Sequence, residues 1–295
     1  KLVASCVLLA ISLALGQLLS VDGPRMLPDG TKLTAHGNGG TKNRLAYIDA
    51  THLEPYSVHA WEFDALNGLA LNLQRNGYVP LMLYDFTAAR LERAGMLVSI
   101  GPSRCFSRAE REQVRRFVEQ GGVLISMVGA EEADASAALL EDFALRLPAS
   151  PVPTTGSGQE PEPFGRTRAD YLEVKEDENQ RYQVAVRLHA AWPVEAQTDG
   201  AEVLADGRNR LPVVESETEL PVILTRAVGQ GQVVLIGDTC FAMNKNLEYI
   251  GGEPFFGAYE NAHFWRWLLT RLQGQPEWTP PRPPERVQDS QEDDA

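Results

Sequence analysis

Two apolar runs on either side of an amphipathic stretch form the clearest hydrophobic pattern in the chain. The runs MLVSIG (96–101) and VLISMV (123–128) are short and rich in β-branched residues, as in strands that are covered on both faces. Between the runs, Val114, Phe117 and Val118 recur at helical spacing, while the positions around them are charged. The pattern therefore predicts a strand, a helix and a second strand.

The ends of the central helix are also marked in the sequence. Ser107 is a suitable N-cap, and Glu110 three residues later completes a capping box. Gly121 and Gly122 follow the last apolar residue of the helix, where a left-handed residue is favoured. The links between these elements are short, which predicts a βαβ unit with parallel strands and a right-handed crossover.

Short apolar runs and helical patterns continue on both sides of this unit. They predict strands at 45–50, 79–84 and 229–238, and helices at 59–76, 87–94, about 132–147 and 258–272. Residues 168–228 differ, because their short alternating runs are typical of antiparallel hairpins. We therefore expect an α/β domain at 45–272 that contains a parallel sheet and a β-rich part at 168–228.

The segment before this domain is apolar. Residues 2–21 carry no charge and have about the length that spans a bilayer as a helix. We predict a membrane anchor at 1–21, with a signal segment as the alternative, although no clean cleavage site follows the run. Lys1 favours placing this end inside and the bulk of the protein on the extracytoplasmic side. Residues 22–44 are rich in Gly and Pro and are predicted to be a linker.

Composition and charge narrow the classes of function. The 295 residues are 43% hydrophobic and 23% charged, which suits a globular domain, and their net charge of −13 disfavours nucleic-acid binding. Residues 273–295 are Pro-rich and then acidic, and are predicted to be a disordered tail. The predicted partners are the membrane, through the first segment, and proteins of a membrane complex.

Polar residues cluster where the predicted parallel strands end. In an open parallel sheet, ligands bind outside the carboxyl ends of the strands. The candidate ligand-binding residues at those ends are Asp49, His52, Ser103, Arg104, Glu131, Glu132, Asp238 and Asn244. Helix capping accounts for Asp85, Ser107 and Asp238 without any function. Carboxylates and an imidazole on one edge suit a cation or a polar ligand, but their spacing matches no metal motif, so we predict no metal and no cofactor.

The cysteines show neither a metal spacing nor a disulfide framework. Cys6 lies in the apolar N-terminal run, and Cys105 and Cys240 are either a pair or two free thiols. Cys105 is the candidate nucleophile, because the arginine before it favours the thiolate, and His52 or His263 would be its base. An inert loop cysteine is the simpler interpretation. The usual patterns of serine hydrolases and nucleotide-binding loops do not occur.

Three longer motifs resemble a known group of domains. They are the run 84–129 with its pattern F-V-x-x-G-G-x-L-I, the segment GQVVLIGDTCFAMN (231–244), and ENAHFWRWLL (260–269). Together they resemble the glutamine-amidotransferase-like domains of unknown function, which are related to a domain of gliding-motility ABC-transporter auxiliary and intraflagellar-transport proteins. The resemblance covers roughly residues 45–272. It implies a three-layer, flavodoxin-like fold that is often attached to membrane-protein systems.

The residues that would carry amidotransferase activity are missing. The resemblance places a catalytic cysteine on the turn after the strand 123–128, where this chain has Gly129, Ala130 and Glu131. A late His-x-Glu is also absent, because the matching strand ends in GDTCF (237–241). We therefore expect a catalytically inactive domain that binds or scaffolds components of a transport or envelope complex.

Two other functions remain open from the sequence. A hydrolase or transferase would use the strand-end polar cluster, with Cys105 or the Asp49–His52 pair as its working groups. A sugar-binding module would stack Trp61, Trp192 and Trp265 on sugar rings. Core packing is the more usual role for tryptophans on apolar helical faces, which is where Trp61 and Trp265 are predicted.

Overall fold

The computed structural model describes residues 25–26, 32–33, 44–57, 62–148, 167–177, 180–189, 191–209, 218–247 and 258–281. The predicted anchor, most of the predicted linker, Trp61 and residues 282–295 lie outside the described residues. Within these described ranges, no helix is long and apolar enough to cross a membrane.

The helices and strands have the following bounds. The strands are β1 (Arg25–Met26), β2 (Lys32–Leu33), β3 (Leu45–Asp49), β4 (Val79–Leu83), β5 (Met96–Ile100), β6 (Val123–Met127), β7 (Leu145–Arg146), β8 (Thr167–Asp177), β9 (Gln180–Leu188), β10 (Glu195–Ala196), β11 (Ala201–Asn209), β12 (Thr218–Val228) and β13 (Gly231–Ile236). The helices are α1 (Asn67–Arg75), α2 (Ala88–Leu91), α3 (Arg108–Glu119), α4 (Ala133–Glu141), α5 (Asn244–Leu247) and α6 (Ala258–Leu272), and a 3₁₀ helix spans Thr239–Ala242.

The main sheet has nine strands in the order β4-β3-β5-β6-β13-β12-β11-β8-β9. The strands from β4 to β13 pair in parallel. The next four pair antiparallel and extend the same sheet. The fold is therefore a mixed α/β fold with a parallel core and an antiparallel extension, which confirms that part of the prediction. In the parallel core the first strand lies between the second and the third, an order common in doubly wound sheets.

Apolar side chains pack on both faces of the sheet. One cluster includes Leu69 and Leu73 of α1 and Trp265 of α6. The other includes Val114 of α3 and Leu140 of α4. All five residues of β5 and all five of β6 are buried, as the continuous apolar runs predicted.

The capping box of α3 is present as predicted. The Ser107 hydroxyl accepts from the Glu110 N–H, and the Glu110 carboxylate accepts from the Ser107 N–H. Gly121 follows the helix with a φ of +93°, a conformation that glycine adopts without strain. Asp85 was also assigned to capping, and this is wrong. Thr87 precedes α2, and Asp85 instead pairs with Arg90 at 3.8 Å.

Helix α4 is shorter than the pattern predicted. It ends at Glu141 instead of continuing to 147. Ala144 takes a φ of +53°, which turns the chain, and Leu145 then begins a strand that pairs with β10. Leu145 is fully buried. Leu145 is apolar because it packs in the core from a strand, and its apolar character was interpreted as a continuation of the helix.

The start of the predicted tail is ordered in the structure. The Tyr182 hydroxyl donates to the Pro280 carbonyl at 2.7 Å, and the Arg266 guanidinium lies 4.8 Å from the centre of the Trp278 ring. The described residues 273–281 therefore pack against α6 and β9, which differs from the predicted disorder.

Strand β4 forms one end of the main sheet. Val79 N–H donates to the Arg44 carbonyl, and the Leu83 carbonyl accepts from Ala50 N–H. These groups face β3. Backbone groups alternate in direction along a strand, so position 80, a proline, faces away from the sheet.

Candidate functional site

The strand order of the parallel core reverses between β3 and β5, and doubly wound sheets bind ligands at such a point. The loop after β3 carries Asp49 and His52, and the loop after β5 carries Ser103 and Arg104. Because β3 and β5 are neighbours, the structure brings these four predicted residues together.

Asp49 and His52 form a fully buried pair. Both side chains are 0% exposed, and the Asp49 Oδ2 atom lies 2.6 Å from His52 Nδ1. The other carboxylate oxygen accepts from the N–H and the hydroxyl of Thr51, at 3.0 and 2.8 Å. The carboxylate therefore binds groups of its own loop, as in an Asx-turn.

Aromatic rings and a second carboxylate enclose the rest of His52. The imidazole stacks on Phe106 at 3.7 Å between centroids and meets the edge of Phe86 at 5.3 Å. Its Nε2 atom makes no hydrogen bond to the described residues and lies 3.6 Å from Glu110 Oε2. The imidazole is thus enclosed by the chain itself.

Backbone hydrogen bonds join the loops after β3 and β5. The His52 carbonyl accepts from the N–H groups of Ser103 and Arg104, at 3.0 and 2.9 Å. The exposed Arg104 guanidinium donates to the Thr51 carbonyl at 3.2 Å and to Glu110 at 3.1 Å. Ser103 and Arg104 therefore hold the two loops together.

Glu110 is held in its ionised form. Burial opposes ionisation, but hydrogen bonds from Ser107 and Arg104 outweigh it, with a smaller contribution from His52, and lower the pKa of Glu110 to about 2. This is below the ordinary value of 4.5. The ionised carboxylate therefore stabilises the folded protein above about pH 4.5, and this contribution is lost as the pH falls towards 2.

We expect Glu110→Gln to make the free energy of unfolding less dependent on pH below about pH 4.5. Glutamine keeps the capping hydrogen bond but has no charge to lose. The free energy of unfolding of the wild type should exceed that of the variant at pH 6, and the difference should shrink as the pH falls below about 4.5. Urea unfolding at a series of pH values measures it, and a difference that does not change with pH would contradict the assignment.

Glu54 and Tyr56 complete this cluster. A Glu54 carboxylate oxygen accepts from the His52 N–H at 3.0 Å. Burial, followed by the nearby Asp49 charge, raises the pKa of Glu54 above its ordinary value, against the opposing effect of its hydrogen bonds. The Tyr56 hydroxyl donates to the Asp49 carbonyl at 2.5 Å, and burial raises the pKa of Tyr56.

A second polar group lies where the loops after β3, β5, β6 and β13 meet. The Thr239 hydroxyl accepts from the Gly129 N–H at 2.7 Å and donates to Glu132 at 2.8 Å. Gly101 has a φ of +51°, and a Cβ there would collide with Thr239 and lie 3.2 Å from Pro55. The predicted residue Glu132 thus belongs to this second group and not to the hydrogen-bond network of Asp49 and His52.

Asp238 is buried and acts as a cap. Its carboxylate accepts from the N–H of Cys240 at 2.8 Å and from the N–H of His189 at 2.5 Å. The capping interpretation of Asp238 is therefore confirmed. Glu131, by contrast, is exposed at the surface.

Asn244 is buried and links distant segments. Its side-chain oxygen accepts from the Gly68 N–H at 2.7 Å, and its amide donates to the Glu62 carbonyl at 2.8 Å. These bonds satisfy one backbone group in the first turn of α1 and one in the loop before it, so the side chain stabilises the fold.

Neither described cysteine has the surroundings of an activated nucleophile. Cys105 and Cys240 are free thiols, and Cys105 is exposed. Burial, followed by the Asp238 charge, raises the pKa of the Cys240 thiol to about 11. Among the described residues, neither imidazole proposed as a base hydrogen-bonds Cys105, because His52 contacts Asp49 and His263 packs against Trp278 at 5.1 Å.

Two of the three tryptophans proposed to stack on sugars are among the described residues, and both have other contacts. Trp265 is 0% exposed and stacks on Phe241 at 5.7 Å. The Trp192 indole N–H donates to the Pro148 carbonyl at 2.6 Å. Trp265 therefore belongs to the core.

Sequence reasoning did not identify Glu54, Phe106 and Glu110 as site residues. Glu54 lies two residues after His52 and offered a local signal, the spacing Asp-x-x-His-x-Glu. Phe106 and Glu110 reach His52 from another loop, so no short-range pattern shows the contact.

Comparisons with known proteins agree with this fold. The sequence matches the family described as a domain of unknown function, DUF4350, over residues 66–269. No curated protein matches significantly. The structure is similar to the N-terminal domain of mmIFT52, with a TM-score of 0.59, 15% identity, and coverage of 77% of this chain and 97% of that chain. It is also similar to the cytoplasmic protein STM1381 from Salmonella typhimurium LT2, with a TM-score of 0.49, 14% identity, and coverage of 77% and 98%. At 15% identity, the likeness to the mmIFT52 domain concerns the fold alone.

Proposed function

This chain belongs to the DUF4350 family of domains of unknown function, and we propose that it is a non-catalytic binding domain of a membrane-associated complex. The observation that supports this proposal best is the content of the crevice between β3 and β5. Asp49 and His52 are 0% exposed there and bind each other. A substrate would have to displace the chain's own side chains to reach the imidazole.

The turn after β6 supports the same proposal. By the resemblance to amidotransferase-like domains, a nucleophile would stand at residues 129–131, which here are Gly, Ala and Glu. The Gly129 N–H binds the Thr239 hydroxyl, which in turn binds Glu132. Hydrogen bonds between the loops after β6 and β13 therefore occupy the turn where the resemblance would place a catalytic cysteine. We infer an amidotransferase-like scaffold without its chemistry.

Exposed apolar side chains on loops near this edge offer a surface for a protein partner. Leu53, Phe63 and Tyr84 are 70%, 54% and 77% exposed. Leu53 also has a φ of +58°, a conformation that costs a branched residue about 1–2 kcal/mol. A strained backbone that holds a large apolar side chain in solvent favours a role in contact with another protein.

The apolar segment at 2–21 supports attachment to a membrane. In this proposal the segment tethers the domain to the membrane, with the domain on the extracytoplasmic side.

The proposal is tested by crosslinking the full chain in intact membranes of its native host. The variant Leu53→Gly/Tyr84→Ser should lose a protein crosslink that the wild type forms. Glycine relieves the left-handed strain at position 53, and an unfolding temperature equal to that of the wild type would show that the loss does not come from unfolding. Val203→Ser removes another exposed apolar side chain, 44% exposed on β11, and should keep the crosslink.

Two results would contradict the proposal. One is a crosslink that the double substitution leaves unchanged. The other is release of ammonia from glutamine by the purified chain, which would show that the protein is an enzyme.

A hydrolase or transferase is the second candidate. It is favoured by the Asp49–His52 contact of 2.6 Å, together with an Nε2 atom that makes no hydrogen bond to the described residues, as in a general base oriented by a carboxylate. This function predicts that His52→Gln abolishes turnover and leaves the unfolding temperature unchanged. The binding proposal predicts a lower unfolding temperature.

A further inference from the structure

We propose that Asp49, His52 and Glu54 form a binding site for a divalent cation in the loop after β3. One ligand atom from each of the three side chains lies within 4.8 Å of the others. Asp49 and His52 are fully buried, so the group differs from an acidic patch on the surface. A ligand set of one imidazole and two carboxylates suits Zn²⁺ or Mn²⁺.

The charges around the three residues favour a cation. Among the described residues, no Lys or Arg forms an ion pair with Asp49 or Glu54. The Arg104 guanidinium binds Glu110 and the Thr51 carbonyl instead. Two carboxylates thus share a partly buried loop with one imidazole. A divalent cation would neutralise the two carboxylates.

The geometry requires only small side-chain movements. Neighbouring ligand atoms around a tetrahedral ion with bonds of about 2.1 Å lie roughly 3.4 Å apart. Asp49 Oδ2 and His52 Nδ1 are 2.6 Å apart and must separate slightly, since the ion would replace the proton that they share. The carboxylate is already oriented by Thr51, which donates two hydrogen bonds to its other oxygen.

Glu54 is the most exposed of the three ligands. It is half-buried, whereas Asp49 and His52 are fully buried, so we expect an ion to enter past Glu54. Glu110 does not complete the ligand set, because its carboxylate already accepts hydrogen bonds from Ser107 and Arg104. An ion of this size can enter a loop that leaves no room for a larger substrate, so the cation site goes beyond the proposed binding function without opposing it.

The experiment uses the full chain, treated with a chelator and then titrated separately with ZnCl₂ and MnCl₂ in a calorimeter. The wild type should bind one equivalent of at least one ion saturably, and that ion should raise the unfolding temperature. Glu54→Gln removes a ligand at a half-exposed position and should weaken binding by about tenfold or more. Glu131→Gln is the matched control, because it neutralises an exposed glutamate on another loop, and it should bind as the wild type does.

Exposed thiols and other imidazoles also bind Zn²⁺, so binding by the wild type alone does not identify the site. The comparison of the two variants does. Binding that Glu54→Gln weakens and Glu131→Gln preserves would support the site. The proposal is overturned if neither ion binds saturably, or if both variants bind as tightly as the wild type.

Discussion

Asp49→Ala should lower the free energy of unfolding by about 3–5 kcal/mol, because it breaks a buried, hydrogen-bonded pair and leaves the partner without its carboxylate. The carboxylate contacts His52 Nδ1 at 2.6 Å and accepts two hydrogen bonds from Thr51. Alanine removes this acceptor from the fully buried His52 and from the partly buried Thr51. A loss of this size is a large part of the stability of an ordinary domain.

Asp85→Ala is the matched control for this prediction. Asp85 follows the neighbouring strand β4, but its side chain is 63% exposed and its ion pair with Arg90 spans 3.8 Å. Its removal should change the free energy of unfolding by less than about 0.5 kcal/mol. Chemical denaturation of both variants provides the comparison. Equal losses for the two aspartates would show that Asp49 contributes no more than a surface carboxylate.

Trp265→Ala should lower the free energy of unfolding by about 3–5 kcal/mol, because it leaves a cavity in the core between α6 and the sheet. Trp265 is 0% exposed and stacks on Phe241. Trp265→Phe should cost clearly less than Trp265→Ala, since it keeps an aromatic ring in the core and leaves a smaller cavity. It also removes an indole N–H that is buried and makes no hydrogen bond to the described residues.

Denaturation of the two tryptophan variants tests this difference. If Trp265→Phe destabilised the protein as much as Trp265→Ala, the indole N–H would have to be making a stabilising bond. If both variants were nearly neutral, Trp265 would not be part of the core, and its use in stacking on a sugar would again be possible.

The parallel core could be predicted from the sequence because its signals are local. The runs at 96–101 and 123–128 are buried on both faces, and the capping box at Ser107 and Glu110 forms within one turn of helix. The pattern failed at 141–147, where Leu145 is apolar because it enters the core from a strand. Apolar character alone does not distinguish these two cases.

The candidate site could be predicted only in part. That Asp49 and His52 lie at a strand end follows from the order of residues and the rule for parallel sheets. Whether His52 would be open or enclosed depends on Phe106 and Glu110, which belong to another loop and reach it only in the folded chain. Predicted ligand residues such as Asn244 proved to satisfy backbone groups, a demand that arises only when helix ends are buried.

The proline at position 80 has a consequence for how molecules of this protein meet. The outer edge of β4 exposes apolar side chains, with Val79 and Leu81 at 44% and 47%. Such an edge would ordinarily be a template for uncontrolled strand-by-strand aggregation. Pro80 has no amide hydrogen to offer on that side, so an incoming strand would lose a rung of its hydrogen-bond ladder. This edge therefore offers a second copy of the chain a less complete hydrogen-bond ladder, although its side chains are apolar.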